Sequence, residues 1–67
     1  MLAIPIIFAL VGGEVRPYVG LEQPYFQCIS TSQMQMADFQ KKFGYKPIQL
    51  TCAEPRRVDA ILGRNQA

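Results

Sequence analysis

The feature that most constrains this chain is its beginning. Residues 2–11 read LAIPIIFALV, ten consecutive apolar side chains, closed by Gly12-Gly13 and then Glu14. A chain of 67 residues has little room to hide such a stretch. At this size folding buries only about 60% of the surface that the unfolded chain exposes.

Three readings of the stretch compete. As a membrane span it is too short: about 12 helical residues cover about 18 Å of a hydrocarbon core about 30 Å thick. As a secretory signal it has the right apolar length. It lacks a Lys or Arg ahead of that region, however, and Val11-Gly12-Gly13 is only a fair small-residue cleavage site. As a buried strand it has the right β-branched content, but Pro5 would confine it to a sheet edge or a strand start. The reading favoured here is an uncleaved segment packed against other protein or lipid. It makes Ile4, Ile6, Ile7, Phe8 and Leu10 the candidate partner contacts. A strand in the chain's own core is its main competitor.

A unit this small usually gains stability from a crosslink, a metal or a partner. A metal is not expected. The chain has no His, and two Cys with five scattered carboxylates do not make a tetrahedral set at usual ligand spacing. No cofactor is expected either. Cys28 and Cys52 allow a single internal pairing. In an oxidising compartment that bridge would contribute about 3.5 kcal/mol by the chain-entropy model; in a reducing cytosol the two would be small apolar thiols.

The net charge of +2 sets no partner class. Lys41, Lys42, Lys46, Arg56, Arg57 and Arg64 fall in the second half, but Asp38, Glu54 and Asp59 are interspersed with them. This is an ordinary solvated surface rather than a basic stripe, and nucleic acid is not an expected partner.

Beyond the apolar segment (residues 1–13), Pro17, Gly20 and Pro24 interrupt residues 14–24 every few positions. That spacing forbids a helix and suggests an extended linker, with room for a short strand at 16–19. The remaining residues, 25–67, are expected to form a small α+β unit. Its first part, YFQCIS at 25–30, has the aromatic and β-branched character of a strand. Ser32 followed by Gln35 then fits a capping box. The spacing of Met36, Phe39 and Phe43 predicts a helix over 33–43 with one apolar stripe. Lys41 and Lys42 suit its last turn, Gly44 its left-handed stop, and Pro47 lies shortly beyond. Met34 falls opposite the stripe and is a further candidate partner contact.

Residues 46–52, KPIQLTC, alternate again, with Ile48, Leu50 and Cys52 on one face. Residues 54–63 read as a short second helix, begun by Pro55 and ended by Gly63; residues 64–67 form a polar tail. The expected fold class is therefore α+β: a strand-helix-strand, βαβ-like unit with an apolar N-terminal segment and a short C-terminal helix. The connection between its two strands is long enough for a parallel crossover.

The chemistry present excludes more than it suggests. Without His, Cys-His and Ser-His-Asp catalysis are closed. Gly12-Gly13 has no downstream Lys-Ser/Thr and is not a phosphate loop. Glu14 and Glu22 read as two solvated carboxylates, and Cys28 with Cys52 is not a redox CxxC motif. No enzyme is expected. The leading expectation is a structural or interaction subunit of a larger membrane-associated or virion-like assembly, with other protein subunits as partners and a membrane as a further one. Its rival is a free-standing cytosolic inhibitor or regulator that binds one protein target.

Overall fold

A computed structural model describes residues 1–63; the expected polar tail at 64–67 lies outside the described residues. The topology follows from Gly12-Gly13. Their φ angles are 59° and 83°, both left-handed, as the two central positions of a type I′ hairpin turn require. The turn folds β2 (Glu14–Val19) antiparallel onto β1 (Leu2–Val11), with Val11 opposite Glu14 and Ile6 opposite Val19. Further along β1, the two-residue strand β3 (Gln23–Pro24) pairs with Ala3 and Leu2. The strand β4 (Lys46–Ala53) runs antiparallel to β1, from Leu10 opposite Lys46 to Ile4 opposite Ala53.

The apolar beginning is therefore the central strand of the chain's own sheet, which corrects the expectation that Pro5 confines it to an edge. The reason is local. The Gly20 N–H donates to the Pro5 carbonyl at 2.8 Å, so the missing Pro5 N–H lies on the same side of β1. At that point the register slips: Val19 faces Ile6, yet Gln23 rather than Glu22 faces Ala3. The slip falls where Pro5 has no donor to offer. Gly20 is needed for this approach, because a Cβ there would lie 2.8 Å from Pro5 Cγ.

Two helices in sequence follow β3: α1 (Tyr25–Ser30) and α2 (Ser32–Phe43), separated at Thr31. The expected strand at 25–30 is thus a helix, and with it the parallel βαβ-like crossover gives way to an antiparallel sheet. β2 and β3 occupy one edge of β1 and β4 the other, and YFQCIS packs instead as a helix with Cys28 buried and bridged to β4. What remains of the expected class is α+β with a short C-terminal helix.

α2 begins within a residue of the expected start and stops as expected at Gly44, whose φ is 78°. The capping box does not form. Gln35 Nε2 instead donates to Thr31 Oγ1 at 2.9 Å, and the Gln35 and Gln23 amides exchange hydrogen bonds at 3.3 Å. These contacts hold the start of α2 to the β3 segment.

A one-residue irregularity in β4 places Gln49 opposite Phe8 and Pro47 opposite Ala9, leaving Ile48 without a partner. Ile48 is exposed, so the expected shared face of Ile48, Leu50 and Cys52 is broken there. The last elements among the described residues are a 3₁₀ turn (Pro55–Arg57) and α3 (Val58–Ile61).

The core has two parts, one on each face of β1. On one face Ile7 and Ala9 meet Phe39 of α2, with Tyr18 and Leu50 beside them. On the other, Ile6 meets Ala53 and Val58, with Ile4, Phe8 and Leu62 packed against them. The Cα trace is only 14 Å across its thinnest direction.

Candidate interaction surface

Side chains along a strand alternate between faces, and directly opposed residues share one. One face therefore carries Ile4, Ile6, Phe8 and Leu10 of β1 with Val15, Pro17 and Val19 of β2. The short helix α3 packs at one end of it, where Val58 and Ala53 cluster with Ile6 and where Ile4, Phe8 and Leu62 pack alongside. At the hairpin end, Leu10 is 43% exposed, Val15 58% and Val19 47%, with the half-buried Phe8 between them. The register puts Leu10 beside Val15 and Phe8 beside Pro17, so this is one contiguous apolar patch rather than scattered residues.

The free edges of the sheet are different. Gly20 bonds inward to Pro5. By the alternation of an antiparallel ladder, Arg16 and Tyr18 also bond inward, while Val15, Pro17 and Val19 turn their backbone groups outward. Pro17 has no N–H to present there. Pro47, opposite Ala9, occupies the matching outward position on β4. Each exposed edge thus has a gap in its row of donors, a common guard against edge-to-edge pairing.

Cys28 and Cys52 are bridged, with Cα atoms 6.0 Å apart. Cys28 is the one buried residue of α1, so the bridge pins this helix to β4. The other apolar side chains of α1, Tyr25, Phe26 and Ile29, are exposed.

The sequence-predicted contacts divide. Ile6 and Ile7 are buried in the chain's own core, which takes them out of a partner's reach; Ile4 and Phe8 are half-buried against it. Leu10 and Met34 remain exposed, but Leu10 lies on the sheet and Met34 on α2. Val15, Pro17 and Val19 escape a sequence reading that treats 14–24 as a linker. The signal that finds them is Gly12-Gly13 between two extended runs, a hairpin signature.

Two open grooves accompany the patch. One, of about 400 Å³, lies under α2 between Ile7, Tyr18, Phe39 and Phe43, with Asp38 and Lys42 among its lining residues. The rings of Tyr18 and Phe39 meet edge-on at 4.9 Å, and Phe39 and Phe43 are also 4.9 Å apart. The other, of about 520 Å³, lies beside Tyr25, Cys52 and Arg57. Among the described residues no group of three or more His, Cys, Asp or Glu could hold a metal ion. No described helix is long and apolar enough to cross a membrane. The chain matches no protein-family model, no curated protein and no solved structure.

Proposed function

We propose that this chain is a non-enzymatic interaction subunit of a larger assembly, membrane-associated or particle-like, that docks through the bare end of its sheet. One observation carries the reading. The contiguous patch of Phe8, Leu10, Val15 and Val19 is left open by the described residues. Contiguous apolar surface on a small soluble unit often marks an interaction site. The Cys28–Cys52 bridge supports an oxidising setting for the assembly, since disulfides persist there. The absence of His leaves His-based acid–base chemistry without its usual agent.

A second reading, a free-standing regulator that binds one target, is favoured by the placement of Leu2–Val11 inside the chain's own sheet. A deletion of that segment would remove the central strand and so cannot separate the two readings. A surface charge can. The tagged chain is recovered from the cells or particles that make it and sized by gel filtration, beside a Val15→Lys variant. The subunit reading expects the parent in a defined larger complex and the variant released from it. A parent that elutes free, near its own 7.5 kDa, sinks the subunit reading and leaves the regulator.

A further inference from the structure

We infer that the occupant of the bare sheet face is an amphipathic helix of a partner chain with acidic residues along its flank. The inference rests on the interaction reading above and narrows it to one kind of partner.

Three observations select this occupant. First, an added strand is disfavoured. Pro17 and Pro47 stand at outward positions of β2 and β4, so a strand laid along either edge would find a donor missing within its ladder. Second, the area is small for a second copy of this chain. Burying a whole aliphatic side chain hides roughly 100 Å², so the partly covered Phe8, Leu10, Val15, Pro17 and Val19 offer roughly 300 Å². A standard interface takes about 800 Å² from each partner. A helix needs less. With its side chains it is about 10 Å wide, and it can lie over two strands spaced about 4.8 Å apart. α2 already does this on the opposite face of the same sheet, where Phe39 is its one buried residue.

Third, the strand residues of this face carry charge of one sign. Lys46 stands opposite Leu10. Among the described residues of β1, β2 and β4 that share the face, it is the one charged side chain, since Glu14 and Arg16 fall on the α2 side with Val11 and Ala9. An acidic flank on the incoming helix would meet Lys46, whereas a basic flank would be repelled.

The test uses the full ¹⁵N-labelled, disulfide-bonded chain and two synthetic helical peptides of about 18 residues, a length at which isolated helices persist. They share one leucine face and differ only in carrying Glu or Lys along its flank. The acidic peptide is expected to shift the amides of Phe8, Leu10 and Val15 and to bind about fivefold more tightly than the basic one, as one favourable surface ion pair allows. Lys46→Glu should reverse that order and Val15→Lys should abolish binding, both variants keeping the dispersed spectrum of the parent.

Equal affinity for the two peptides, or shifts confined to the groove at Tyr18, Phe39 and Phe43, overturns the inference. Concentration-dependent self-association that Val15→Lys abolishes also overturns it, because the occupant is then a second copy; the face itself stays an interface. If Val15→Lys also leaves the native complex intact, the underlying reading falls with it.

Discussion

The two faces of β1 are built from the same ten residues and treated differently. The face that holds Ile7 and Ala9 receives α2, a helix of 12 residues whose Phe39 joins a cluster of aromatic rings. The face that holds Ile6 and Phe8 receives α3, a helix of 4 residues, at one end only. The difference teaches that one strand can supply core on both sides and still leave one of them only partly covered. Both sides hold part of the core, and the α3 side leaves apolar surface exposed at the hairpin end.

That contrast can be broken by truncation. Phe39→Ala should cost about 4 kcal/mol, enough to unfold much of so small a domain, whereas Val58→Ala on the α3 side should cost about 2 kcal/mol. Thermal unfolding by circular dichroism measures both; equal losses would mean that the faces contribute alike. Next in size is the crosslink. Replacing Cys28 and Cys52 together by Ala should lower stability by about 3.5 kcal/mol less whatever the apolar packing of the new side chains returns. Hydrogen exchange should show α1 loosening first, because Cys28 is the residue that buries it. Gly20→Ala should cost about 2 kcal/mol through its contact with the Pro5 ring, read from the urea midpoint. Smallest is Val15→Lys, expected within about 0.5 kcal/mol of the parent. A larger loss by the same urea titration would mean that the patch is part of the fold rather than a surface kept open.

The parts of this fold that are legible in the sequence are those decided within a few residues. Gly44 stops α2 because the left-handed conformation suits glycine, and Pro55 with Gly63 brackets the last helix for similarly local reasons. The pairing of Cys28 with Cys52 is legible because two cysteines allow only one, whereas its closure as a bridge is seen only in the structure. The position of Leu2–Val11 is not. Pro5 argues against a central strand unless residues 20–23 slip the register beside it, and that slip is a property of two segments together. Tyr25–Ser30 misleads for a related reason: its side chains suit a strand, but the segment packs as a helix with Cys28 buried and bridged to β4. The apolar patch was half legible. Leu10 belongs to the obvious run, while Val15 and Val19 depend on reading Gly12-Gly13 as a turn that brings the next segment back alongside.

The tight turn also bears on the order in which the molecule can assemble as it is made. β1 and β2 are neighbours in sequence, and a hairpin of this kind closes in about 1–10 μs, so the pair can zip together as soon as both are free of the ribosome. β4 is separated from β2 by the whole α1–α2 region. Until that strand arrives, one side of the nascent hairpin has no backbone partner. The interval is when this polypeptide is most open to capture by a chaperone, and it ends with the synthesis of Lys46–Ala53.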